Sequence, residues 1–377
     1  FIAATAFTVQ ADGSGGGLYT DPVTSANYTP DVGGNGTGGN ASMTAQNGGR
    51  IQSDGTLTVT ANGTGHVGLT SSGTGRGGTA SMAISGATSQ MTSGGVTTVE
   101  ALGNGGGFIA FGNVPSAGIP TVRGGDGVGG SASITSNGIA QLGATTVISD
   151  GRGGAATPLI ASVATPVVGG NGTGGTSSIS LTDGTPSIDG LTVSANGYGG
   201  AAADILGNGG NGAGGTATAT LNGTAAITTT ANTNITADSF GGNGQQLSGN
   251  ATGGTAALAL TSTTSALTTD TLRVSATAIA GPINASGPIL PVASIVGGDA
   301  QGGTARIVNS GAITTSFTTV TTAGIGGEAS APGNGTYTPS GGDGRGGTTE
   351  LTSDVGSITA DTITLTATGT AGGGFDA

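Results

Sequence analysis

The chain has 377 residues, 83 of them glycine, with no cysteine, tryptophan or lysine and only seven phenylalanines and four tyrosines. That composition excludes a core built on large aromatics, and it excludes disulfides and cysteine-held metals. Nineteen acids against seven arginines leave a net charge of −12, which speaks against nucleic acid and anionic membrane surfaces as partners.

The N-terminal segment Thr8-Val9-Gln10-Ala11-Asp12-Gly13-Ser14-Gly15-Gly16 introduces a box, roughly T-V-x-A-x-G-x-G-G. The box returns around Val59, Val99, Val147, Val193, Ile235, Val274, Val320 and Leu365, at intervals of 39 to 50 residues. A period this regular is the signature of a solenoid. Phe1-Ile2-Ala3-Ala4 lacks the charged start of a secretory leader. No apolar run approaches the roughly 18 residues of a membrane helix. Both ends fall inside a repeat, so residues 1–377 are expected to be one repetitive domain cut from a longer chain.

A second box is a glycine turn followed by an alternating strand, as in Gly172-Thr173-Gly174-Gly175-Thr176-Ser177-Ser178-Ile179-Ser180-Leu181. Its apolar residues share one parity (Ala80, Met82, Ile84; Ala217, Ala219, Leu221), which marks a half-buried strand. From this box to the next first box the spacing stays between 18 and 22 residues. Within it lie a short run centred on Ile51, Met91, Ile139, Ile188, Ile227, Leu267, Ile313 or Ile358, and a longer strand such as Leu57, Val59, Ala61 or Leu191, Val193, Ala195. Three short strands in about twenty residues trace one coil of a parallel β-helix, whose stacking pairs every strand with its neighbours. The expected fold is therefore all-β: a right-handed parallel β-helix of about nine repeats.

The other arm of the period varies from 18 to 30 residues and carries most of the prolines, so it is expected to form glycine-rich loops on one side. The stretches Phe108 to Arg123, Pro158 to Val168, Ile279 to Val296 and Ala329 to Ser340 are its longest insertions. One coil plus a glycine flap is expected in preference to two coils per repeat. The glycines would permit positive-φ turns and close contact between neighbouring flaps.

Candidate chemistry is sparse. Gly124-Gly125-Asp126-Gly127, Gly297-Gly298-Asp299 and Gly341-Gly342-Asp343-Gly344 partly match calcium-binding nonapeptides, but the period is wrong and the second aspartate is missing, so Asp reads as a turn former. His66, the single histidine, is expected to be an exposed loop residue. The acids Asp54, Glu100, Asp150, Asp183, Asp189 and Asp238 are scattered rather than paired as a glycosidase requires. No residue is assigned as catalytic, cofactor-binding or metal-ligating, and no cofactor is expected. Threonine runs such as Thr362-Ile363-Thr364-Leu365-Thr366 suit an ice-binding array and equally an ordinary outward strand face.

The run Gly346-Gly347-Thr348-Thr349-Glu350-Leu351 through Gly356-Ser357-Ile358 to Leu365-Thr366-Ala367-Thr368-Gly369 resembles the repeats of filamentous-haemagglutinin-type adhesins and of giant bacterial β-strand-repeat surface proteins. The resemblance spans essentially the whole chain at the level of G-x-I…L-x-V-x-A-x-G. It implies an exported, cell-surface structural protein without catalysis, an adhesin stalk or self-assembling filament. The flaps would be where partners bind, with Tyr198 as an exposed aromatic. The competing expectation is a binding module for ice or glycan.

Overall fold

The computed structural model describes residues 1–17, 19–20, 27–28, 32–68, 71–110, 122–158, 167–184, 186–203, 206–229, 231–284, 294–331 and 338–376. Among them every regular element is a strand, and nearly all pairing is parallel. The strands stack in register as in a β-solenoid. Val9, Val59, Val99, Val147, Val193, Ile235, Val274, Val320 and Leu365 form one continuous ladder. Each repeat thus supplies one coil, not two.

Each coil has three walls. The first is an eight-stranded sheet that includes Asn40–Gln46, Thr79–Ser85, Ser131–Ser136, Thr176–Thr182 and Thr216–Asn222. The second and third begin as separate strands, Arg50–Ser53 and Leu57–Thr60, and fuse in later coils into single strands such as Ser187–Ser194 and Ala312–Ile325. Alternation sends Leu57, Val59, Met82, Ile134, Leu221 and Val274 into the interior, each no more than 1% exposed. With small aliphatics in every rung the core is narrow, and the walls approach closely. One predicted inward residue is wrong. Ile139 faces outward, and Ala140 and Leu142 fill the interior instead. Met91 pairs with Ala140, whereas Leu142 pairs with Ile188, so the inward position moves two residues along this one strand.

The glycine arm also departs from expectation, because near the walls it is ordered sheet rather than loop. After the third wall the chain runs outward through Gly63–Thr64, Gly103–Asn104, Gly151–Arg152 and Gly197–Tyr198, which pair in sequence. It returns through an eight-stranded sheet that includes Gly75–Arg76, Gly127–Val128, Gly172–Thr173 and Gly212–Ala213. The two leaves press together backbone to backbone. A Cβ added at Gly63, Gly103, Gly151 or Gly197 would fall on the carbonyl oxygen of Arg76, Val128, Thr173 or Ala213 in the opposite leaf.

Hydrogen bonds run across as well as along this fin. Gly34 N donates to Gly16 O at 3.1 Å, His66 N to Gly34 O at 2.9 Å, Gly73 N to His66 O at 2.7 Å and Gly106 N to Gly73 O at 2.9 Å. The alternation continues to Gly281 N and Gly249 O at 3.1 Å. At the base, the second glycine of each pair donates to the residue that ends the third wall, usually an alanine, as Gly78 does to Ala61 and Gly215 to Ala195, both at 2.6 Å. Of the long insertions, 111–121, 159–166, 285–293 and 332–337 lie outside the described residues. Their flanks pair as strands, Phe108–Ala110 with Ala156–Pro158 and Ile295–Val296 with Pro339–Ser340.

Cross-leaf packing predicts a sharp contrast between two glycines. Gly151→Ala should cost about 1–3 kcal/mol, as overpacking does. Gly16→Ala, where an added Cβ meets nothing within 4 Å, should be near neutral. Urea midpoints of the two variants measure the difference.

Candidate functional surface

The outward residues of the first wall form a regular array. Register places Ser42, Ser81, Ser133, Ser178 and Thr218 in one column, and Thr79, Ser131, Thr176, Thr216 and Thr255 in the next. A third column holds Thr44, Ala83, Thr135, Ser180 and Thr220. Strand geometry spaces these side chains by about 4.8 Å between coils and about 6.8 Å along each strand. From Asn40 to Ala259 no outward position of this wall carries a charge; Arg306 and Glu350 in the next two strands do.

A different surface lies where the third wall turns into the fin. Each coil places one residue between the end of the wall and the leaf, and in five coils it is an Asn or Asp whose side chain accepts a backbone N–H of the next coil; Leu102 interrupts the series. Asp12 Oδ1 accepts from Asn62 N at 2.7 Å, and Asn62 Oδ1 from Leu102 N at 2.7 Å. Asp150 accepts from Asn196 N at 2.8 Å, Asn196 from Asp238 N at 2.7 Å, and Asp238 from Thr277 N at 2.7 Å. A parallel ladder runs along the returning leaf through Asp126, Asn171, Asn211, Asn250, Asp299 and Asp343, with bonds of 2.7 to 2.9 Å. Asp126, Asp299 and Asp343 are therefore ladder residues, not turn formers. Among the described residues no three His or acidic side chains come together as a metal cluster. The ladders leave a trace in sequence that composition hides: Asn or Asp stands before the glycine in A-x-G and in G-G-x-G.

The corner around Asp150 is the most perturbed point of this surface. Asp150 is 4% exposed and also accepts from Ser194 Oγ at 2.7 Å. Burial pushes its carboxyl above the ordinary value of 3.8; the bonds from Ser194 and Asn196 and the nearby Arg152 oppose the rise, and Asp238 adds to it. Asp238, 7% exposed, takes bonds from Ser275 Oγ at 2.6 Å and Arg273 Nη2 at 3.4 Å. Both carboxylates thus use their oxygens to hold the stack.

Tyr198 is not the freely exposed aromatic expected. Its ring stacks on Phe240, with centroids 5.0 Å apart and 3° between planes, and Arg152 lies over it at 5.5 Å. Burial, then Asp150, pushes its hydroxyl above the usual tyrosine value. His66 is half-buried rather than exposed: its ring packs on Gly17, Nδ1 accepts from Val67 N at 2.9 Å, and its backbone belongs to the cross-leaf zigzag. Asp183 sits in a turn at φ 58° and Asp189 lies in a second-wall strand, so the two do not form a carboxylate pair aimed at one ligand.

Compared with protein-family models, with curated proteins and with solved structures, the chain gives no match in any of the three. The fold and the hydroxyl array define a class, an extended parallel β-stack, and no family is assigned.

The Asp150 corner has a signed pH dependence. A carboxyl raised by folding contributes stability that is fully present below its unfolded value and lost as pH rises through the folded one. Asp150→Asn keeps an acceptor, as Asn62 and Asn196 do at the equivalent position. It should raise the unfolding temperature by about 1–3 °C at pH 7, with the gain shrinking towards zero at roughly pH 3. Thermal melts of both proteins at the two pH values check this.

Proposed function

We propose that the chain is a rigid structural segment of an extracellular bacterial surface protein, an adhesin stalk or a filament component that packs side by side and carries out no catalysis. In this reading it is a right-handed parallel β-helix of nine repeats, about 43 Å long at about 4.8 Å per coil. The supporting observation is the uncharged hydroxyl face of the first wall. In a chain of net charge −12, contact between copies is opposed by repulsion unless the touching faces are neutral. The array from Asn40 to Ala259 is such a face, with short side chains that lose little entropy on contact. The cell-surface location comes from the resemblance of the repeats alone.

A second reading, a binding module for ice or a neutral glycan, draws on the same two-dimensional array of threonines and serines around Thr216, Thr218 and Thr220. Thermal-hysteresis and glycan-array assays, if both negative, remove it.

Electron micrographs of the purified chain should show thin rods that bundle laterally. Ser178→Glu with Thr218→Glu places like charges on the face and should reduce bundling at least tenfold at low salt while single rods persist. Compact, monodisperse wild-type particles would overturn the proposal.

A further inference from the structure

Twelve Asn-Gly dipeptides occur in the sequence. Chemically this is the most labile pair a protein contains: the glycine nitrogen can attack the asparagine Cγ, because glycine has no side chain to hinder it. In five of the pairs the ladders occupy both reacting groups. Gly36 N donates to Thr74 O, Gly63 N to Leu102 O, Gly172 N to Asn211 O, Gly197 N to Asp238 O and Gly212 N to Asn250 O, all at 2.8 to 3.0 Å. The side-chain carbonyls of Asn35, Asn62, Asn171, Asn196 and Asn211 accept backbone N–H groups of the next coil at 2.7 to 2.9 Å. Attack would break two bonds of the stack and rotate an amide held between coils.

Asn222-Gly223 is different. It lies in the turn from the first wall to the second, where Ala225 N donates to Asn222 O at 3.1 Å and Gly223 has φ 59°. Here the glycine N–H points at its own neighbour's side chain: Gly223 N donates to Asn222 Oδ1 at 2.8 Å. That contact holds the attacking nitrogen against the side-chain amide it must attack, as a near-attack arrangement requires. Asn222 is exposed, so water reaches it. The Asp183 carboxylate lies against Gly223, where an added Cβ would meet it, and accepts from Thr224 N at 2.9 Å, which pins the turn.

We infer that Asn222 is a spontaneous modification site of the folded protein, and that the ladders protect the five stacked asparagines. The Gly223 nitrogen loses its proton and bonds to Cγ; the Cγ–N bond to the side-chain amide breaks and ammonia leaves, giving a cyclic imide. Water then opens the imide at either carbonyl, leaving aspartate or isoaspartate at 222. The ladder positions already accept aspartate at Asp12, Asp126, Asp150 and Asp238, so their protection is kinetic. The isoaspartate product, which adds a backbone atom, would break a ladder but is tolerated in a turn.

Incubating the folded protein at pH 8 and 37 °C, with peptide mass mapping and isoaspartate quantitation over days, tests this. The +1 Da product should accumulate at Asn222 at least tenfold faster than at Asn35, Asn62, Asn171, Asn196 or Asn211. In the same chain held in urea the six rates should converge within a few fold. Equal rates at Asn222 and the ladder positions in the folded protein would overturn the inference, as would a tenfold lead of Asn222 that persists in urea.

Discussion

Everything in this molecule depends on carbonyl oxygens of one glycine leaf standing where side chains of the other would begin. The contact fixes the spacing of the fin and, through the zigzag of bonds from Gly16 to Gly281, ties successive coils together in a direction that wall ladders do not reach. Ordinary parallel sheets satisfy their backbone groups only sideways. Here His66 and Gly73, Gly106 and Gly125, and Gly154 and Gly170 are also joined between leaves. Where both leaves are glycine the fin is held by polar backbone contact, and the walls by apolar ladders. That division explains how a chain with so few large residues still has a defined interior.

The corner ladders join these two regimes. Asn and Asp alternate at Asp150, Asn196 and Asp238 because the stack asks only for an acceptor aimed at the next coil's N–H, and either side chain provides one. Asparagine does so without charge. Aspartate adds a carboxylate that burial disfavours, which is why Arg152 and Arg273 lie beside the two most enclosed ones. The sandwich of Arg152, Tyr198 and Phe240 grows from the same register, since these residues pair in consecutive coils. It consumes the aromatic faces that a sugar ring would use.

Much of the wall was legible in the sequence. The parity of Ala80, Met82 and Ile84 and the recurrence of Val59, Val99 and Val147 encode burial directly, because an inward residue repeats at the same register in every coil. Ile139 was misplaced because its size made it the obvious centre of its run, whereas register sets the small Ala140 beside Met91. The fin was misread as loop because glycine is a turn signal by default, and nothing local distinguishes a glycine chosen for its backbone freedom from one chosen for its missing side chain. Tyr198 and His66 were misplaced for a related reason: their cover comes from neighbouring coils, roughly forty to fifty residues away. The hydroxyl face was visible as Ser and Thr at outward parity, but its alignment into charge-free columns appears only once the coils are stacked.

The structure distinguishes those two uses of glycine. Among the described glycines only Gly48, Gly86, Gly184 and Gly223 have positive φ, and all four lie in turns between the first and second walls. The fin glycines have backbone angles open to other residues, so sterics alone select them. Where the fin does carry side chains, it carries them on both leaves at once. Ser239 and Ala278 follow Gly197 in the outgoing ladder, and Ala251 and Ala300 follow Gly212 in the returning one. Ala251, Ala278 and Ala300 then pack together in a small apolar cluster. A single added methyl in the all-glycine region would meet a carbonyl, whereas methyls added to both leaves over consecutive coils can spread them and fill the gap they open. Glycine at one fin position is therefore conditional on glycine opposite it, and the fin changes composition in blocks rather than residue by residue.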